Sequence, residues 1–111
     1  MLAWSLFWGC LWLGGHAQEP DEASIQRLVE QLGADFLEER DAARKALEKV
    51  GKKGELRLIA GLASNDHRIR RNCLELLTEI KSEKSMERGG ELFRADEDAS
   101  VRDAAFKLLQ S

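Results

Sequence analysis

A chain of 111 residues that is 43% hydrophobic and 33% charged has the balance of one small folded domain, which excludes a disordered segment. Its formal net charge of −3 excludes the strongly basic make-up of a domain devoted to coating nucleic acid. One Pro, no Tyr and abundant Ala, Leu, Glu, Lys and Arg favour helix throughout.

The first residues differ from the rest. Met1 to Gly15 contain no charged side chain, whereas everything after Ala17 is charge-rich. The apolar run is shorter than the roughly 20 residues that span a bilayer. It matches the apolar region of a secretory signal, with Gly15 and Ala17 as the small residues before cleavage ahead of Gln18. Residues 1–17 are therefore expected to be a signal peptide and the chain to be exported, to the periplasm or outside the cell. The alternative is a membrane-anchored chain: no Lys or Arg precedes the apolar run, and Trp4, Trp8 and Trp12 fall four apart, as on one face of an anchoring helix. Phe7-Trp8-Gly9-Cys10 fits a lipoprotein signal poorly because Phe7 and Trp8 are large. Membrane attachment is thus expected only through an uncleaved leader or a lipidated Cys10. If Cys10 is removed, Cys73 is alone, and a buried, inert thiol is expected there.

Residues 18–23, with Pro20, read as a linker. Ile25, Leu28, Val29 and Leu32 then predict a helix from about Ser24 to Leu32, which Gly33 ends. A second helix is expected to be capped by Asp35, with Glu38 three residues on, and to bury Phe36, Ala43, Ala46, Leu47 and Val50 before Gly51 stops it. After the Gly51-Lys52-Lys53-Gly54 turn, a third helix carries Leu56, Ile59, Ala60 and Ala63, its face broadened by Leu58 and Leu62. A fourth starts near Asp66 and buries Ile69, Cys73, Leu76, Leu77 and Ile80. The fifth, from about Ser85 to Arg94, places Met86, Leu92 and Phe93 inward but is interrupted by Gly89-Gly90, each glycine costing roughly 1 kcal/mol unless a close helix crossing requires it. The sixth begins near Asp98 and buries Val101, Ala104, Ala105, Leu108 and Leu109.

These helices repeat. Arg-Asp-Ala-Ala-Arg-Lys-Ala-Leu at 40–47 returns as Arg-Arg-Asn-Cys-Leu-Glu-Leu-Leu at 70–77 and as Arg-Asp-Ala-Ala-Phe-Lys-Leu-Leu at 102–109. The steps of 30 and 32 residues lie in the range where a fixed period marks a solenoid of one repeated unit. The odd helices repeat as well, Leu28 with Leu58, Val29 with Ile59, and Leu32 with Leu62 and Leu92. The expected fold is all-α: an α-solenoid of three antiparallel helical hairpins at 24–50, 54–80 and 84–110, within a domain spanning 24–111. The outer faces of the first and last helices lack polar capping repeats, so marginal stability or self-association through these end faces is expected.

Asp66-His67-Arg68-Ile69-Arg70 followed by Leu76-Leu77, and Asp98-Ala99-Ser100-Val101-Arg102 followed by Leu108-Leu109, resemble HEAT repeats, in particular the short HEAT-like repeats common in bacterial proteins. The first unit departs from the pattern: Asp35 and Arg40 are five apart and Glu39 stands where Ile69 and Val101 stand, so Phe36 is expected to fill the packing role. The resemblance implies a helical scaffold that binds other macromolecules and does not name them.

The recurring Asp66, Arg70, Asp98, Arg102 and Arg40 are read as a structural ladder between units, the acids as helix caps and each arginine pairing with a cap or with the acid of the next unit. Beyond the leader, His67 and Cys73 are single, so no Cys/His cluster suits zinc. Asp66-His67 beside Asp98 is the one conceivable metal arrangement, and cap and loop roles account for those acids. Ser64, Ser82, Ser85 and Ser100 read as caps. No catalytic, metal-binding or cofactor-binding residue is expected, and no small-molecule substrate is evident. The turns before the even helices hold Asp35, Asp66 and Asp96-Glu97-Asp98, predicting an acidic edge. The turns after them hold Lys49, Lys52 and Lys53, then Lys81 and Lys84, predicting a basic edge, of which Lys52, Lys53, Lys81 and Lys84 are a candidate partner-binding surface. The function expected is a non-enzymatic protein–protein interaction module. The alternatives are polyanion or nucleic-acid binding through the basic edge, which the mild net charge disfavours, and an accessory subunit of a larger enzyme.

Overall fold

The computed structural model describes residues 21–111. The expected signal peptide, its Ala17/Gln18 cleavage site and Cys10 lie outside the described residues. Those described form helices and turns with no strand: α1 (Glu22–Gln31), α2 (Leu37–Val50), a 3-10 turn (Gly51–Gly54), α3 (Glu55–Gly61), α4 (His67–Glu79), α5 (Met86–Ala95) and α6 (Ala99–Gln110). No helix among them is long and apolar enough to cross a membrane.

Three helices begin on an aspartate whose carboxylate accepts from free backbone amides, as the exposed positive end of a helix favours. Asp21 takes Ser24 N at 2.8 Å, Asp66 takes Arg68 N at 2.9 Å, and Asp98 takes Ser100 N at 2.9 Å and Val101 N at 3.2 Å. The cap on Asp21 draws Glu22 and Ala23, expected in the linker, into α1. The expected Asp35 cap is not made. Phe36 occupies that position without a side-chain hydrogen bond, and Leu37 opens the helix.

α1 packs on α2, α3 on α4 and α5 on α6; α1 also meets α3, α2 meets α4, and α4 meets α6. The core between them holds Ile25, Val29, Leu47, Leu58, Leu77 and Leu108. α3 is only seven residues long, and no comparable packing joins it to α5. Across this core, Gly61 brings α3 so close to α4 that a methyl group there would lie 2.6 Å from Cys73 Sγ. The expected weakness at Gly89-Gly90 has a packing reason: a methyl on Gly89 would lie 2.9 Å from buried Leu108, so the glycine permits α5 and α6 to approach.

Several inward expectations are corrected. Phe36 is 67% exposed and Leu56 66% exposed. Phe36 precedes the helix and lies off its apolar face; on α3 the inward stripe is Leu58, Gly61 and Leu62, which turns Leu56, Ala60 and Ala63 outward. Phe93 and Leu109 are also exposed, whereas Leu74, not singled out by the pattern, is fully buried.

Candidate functional site

The three recurring arginines make one bond in common. Arg40 Nη1 donates to Ala34 O at 2.7 Å, Arg70 Nη1 to Ser64 O at 2.9 Å and Arg102 Nη1 to Asp96 O at 2.7 Å, each to the carbonyl six residues earlier. Each arginine thereby fastens the turn that leads into its own helix.

Arg70 does more. Its Nε and Nη2 donate to Asp96 Oδ2 and Oδ1 at 2.8 and 3.0 Å, a two-point clamp from α4 to the loop before α6. Asp96 Oδ1 also accepts from Asp98 N at 2.9 Å, the turn geometry that Ser64 Oγ repeats with Asp66 N at 3.1 Å. The pair is nearly out of water, with side-chain exposures of 13% for Arg70 and 4% for Asp96. Burial raises the Asp96 carboxyl, and the Arg70 hydrogen bonds, reinforced by the Asp98 amide, outweigh it and hold the group below its ordinary value. Among the three arginines only Arg70 crosses between helical pairs. Arg40 and Arg102 donate within their own turns, and Asp66 and Asp98 serve as helix caps rather than as acids for Arg70 or Arg102. The five residues read as a ladder thus make one rung, to an acid, Asp96, that was not among them.

The first two pairs are joined by residues the sequence did not single out. Arg44 on α2 bonds Asn72 Oδ1 at 3.0 Å and Glu79 Oε2 at 3.0 Å on α4, and contacts Glu75 Oε1 between them. The signal that could have found this cluster is an arginine where the later units carry Leu74 and Phe106, facing acids one turn apart on the next even helix.

The predicted acidic edge is interleaved with cations. Arg68 lies 3.5 Å from Asp66 and 3.7 Å from Asp35, and His67 Nε2 lies 4.0 Å from Asp98 Oδ2. No group of three His, Cys, Asp or Glu placed to hold a metal occurs among the described residues. Cys73 sits in the core, where burial pushes its thiol up to about 12.

The lysine turns are brought together by a buried polar contact. Glu55, at the start of α3 and only 7% exposed, accepts from Ser82 Oγ at 2.5 Å, and Ser85 Oγ donates to Ser82 O at 3.0 Å. Glu55 directly follows the Lys52-Lys53 turn, and Ser82 and Ser85 flank Lys84 in the turn after α4. Lys52, Lys53, Lys81 and Lys84 are all exposed on the edge this contact makes, with Glu83 among them. Lys81 has a further peculiarity. Its N–H donates to Thr78 O at 3.1 Å and Ser82 N to Leu77 O at 3.1 Å, the helix-ending pattern that puts one residue in the left-handed region. That residue is Lys81, at φ 57°, the sole non-glycine at positive φ among the described residues.

The described residues are therefore helical, with a buried clamp between α4 and the loop before α6, the Arg44 cluster between α2 and α4, and a lysine-bearing edge. Comparison of the chain with protein-family models, curated proteins and solved structures finds no match in any of the three.

Proposed function

We propose that this chain is a non-enzymatic docking module, a short α-solenoid of three HEAT-like helical hairpins that is exported and binds an acidic surface of another protein through Lys52, Lys53, Lys81 and Lys84. The shared arginine-to-carbonyl bond at Arg40, Arg70 and Arg102 supports the repeated-unit reading, since a repeat needs the same local joint each time.

The observation that carries the lysine edge is Lys81. A left-handed residue at a helix end is ordinarily glycine, because a side chain there costs roughly 1 kcal/mol or more. A lysine kept at φ 57° sacrifices stability for a charge, and strain of this kind collects at recognition sites. Lys81→Gly should therefore make the fold more stable by about 1 kcal/mol while weakening partner capture, the opposed changes that mark a residue retained for function. A photoreactive residue in place of Lys84 in the native host should give a discrete protein adduct that Lys81→Gly diminishes. An adduct unaffected by Lys81→Gly, or found equally from a probe at Glu30 on α1, would refute the edge; an adduct removed by nuclease would assign it to a polyanion instead.

A further inference from the structure

α3 turns a large apolar side chain to solvent and is held so that it cannot turn it in. On one flank Glu55 accepts from Ser82 Oγ at 2.5 Å, and on the other Arg57 Nε donates to Glu22 Oε1 of α1 at 2.6 Å. Leu56 stands between these two in the sequence, so on a helix it faces outward between the flanking bonds. The inward face is seated closely. Leu58 and Leu62 are buried, and a methyl group on Gly61 would lie 2.6 Å from Cys73 Sγ and 3.0 Å from Val29 Cγ1. Rolling α3 to cover Leu56 would break both flanking bonds and unseat those leucines, so Leu56 stays 66% exposed.

The apolar surface continues beyond it. Ala60, one turn on, and Ala63, just past the end of α3, are exposed as well, and residues 58–65 carry no charge. The neighbouring helices expose charges instead: Arg27 and Glu30 on α1, and Glu87, Glu91 and Arg94 on α5, where the exposed Phe93 is stacked on Phe106. This face of α3 begins at the lysine edge. Lys52 and Lys53 precede Leu56 in the turn into α3, and the Glu55–Ser82 bond brings Lys81 and Lys84 to the same end of the helix.

We infer that the partner segment taken by the lysine edge is acidic and amphipathic: its carboxylates meet the lysines, and a large apolar side chain beside them lies on Leu56, Ala60 and Ala63. Charge guides an acidic segment to the edge. The apolar contact then separates a matching segment from the many acidic surfaces that lysines alone would accept. The inference rests on the lysine-edge reading and adds the apolar half of the recognition.

Fluorescence anisotropy of the full chain with two synthetic peptides of one composition tests this. In the first, glutamates at one end lead into leucines along one side of a helix; in the second, the leucines are scattered around it. The first should bind about tenfold more tightly. Leu56→Ser, at an exposed position that leaves the core untouched, should abolish that preference while melting close to wild type. Lys52→Glu combined with Lys84→Glu should weaken both peptides, most at low salt. Equal binding of the two peptides, both weakened by the lysine changes, would overturn the apolar contact and leave the edge standing. Binding of the first peptide that is indifferent to the lysine changes would overturn the edge, and with it the claim that charge brings the segment to Leu56. Wild-type self-association lost on Leu56→Ser would assign the face to a second copy, and binding to anionic phospholipid vesicles lost on the same change would assign it to a membrane; either result overturns the proposal.

Discussion

The Arg70 guanidinium grips the Asp96 carboxylate at two points while also holding the Ser64 carbonyl, so one side chain fixes both the turn into α4 and the turn into α6. Asp96 is fully engaged in return, by Arg70 and by the Asp98 amide. This pair ties the loop before α6 to α4, beside the packing of α4 on α6.

Its first consequence is pH dependence. The Asp96 carboxyl lies below its ordinary value of 3.8, and so do those of Asp21, Asp66 and Asp98. A depressed carboxyl contributes stability that is complete above its unfolded value and is lost as pH falls through its folded value. Denaturant midpoints should therefore be flat from pH 7 to about 5 and fall steeply below about pH 4. Asp96→Asn should be less stable at neutral pH and show a shallower acid limb. Parallel limbs for the two proteins would assign the acid sensitivity to the caps alone.

Arg44 faces Glu75 and Glu79, one turn apart on α4, and without it these two carboxylates repel each other along that helix. Its side chain is 26% exposed, so the cluster is partly screened. Arg44→Ala should cost about 1–2 kcal/mol at low salt, and the difference from wild type should narrow at 1 M NaCl. Urea melts at the two salt concentrations check this.

Gly61→Ala drives a methyl group onto Cys73 Sγ, inside a packed core with no room to yield. A loss of about 1–3 kcal/mol is expected. Gly61→Ala combined with Cys73→Ala should recover part of it, because the clash is between those two positions; thermal melts of the single and double variants measure the coupling.

The Cys73 thiol, pushed up to about 12 and buried, should be inert to thiol reagents in the native state. In a Cys10→Ser background, labelling should proceed only at the rate of global opening and become immediate in denaturant. Fast native labelling would mean that the α3–α4 contact opens on its own.

The helices and their order were readable because apolar residues recur at helical spacing and Asp66 and Asp98 stand directly before them. Phe36 is hydrophobic, but it stands one residue ahead of the helix and so lies off the inward face that its hydrophobicity alone suggests. Leu56 failed for another reason, since a short helix flanked by Leu58 and Leu62 offers two apolar faces and only contact with α4 chooses between them. The Arg70 rung was half legible. The repetition marked the arginine, but Asp96 has Ser64 and Ala34 as its counterparts, so no repeat of the acid announced it. Glu55 with Ser82 was hidden altogether, because two residues 27 apart reveal a bond only when the chain is folded.

The arginine-to-turn bond recurs at Arg40, Arg70 and Arg102, and at Arg70 it is joined by the clamp on Asp96 that ties α4 to the loop before α6. A double-mutant cycle over Arg70→Ala and Asp96→Ala, followed by urea denaturation, measures that clamp directly. The cycle should return a coupling energy of about 2–3 kcal/mol, as for a buried hydrogen-bonded charge pair, with Arg102→Ala alone costing only about 1 kcal/mol for its turn bond. Additive effects of the Arg70 and Asp96 changes, or a loss at Arg102 equal to that at Arg70, would contradict it.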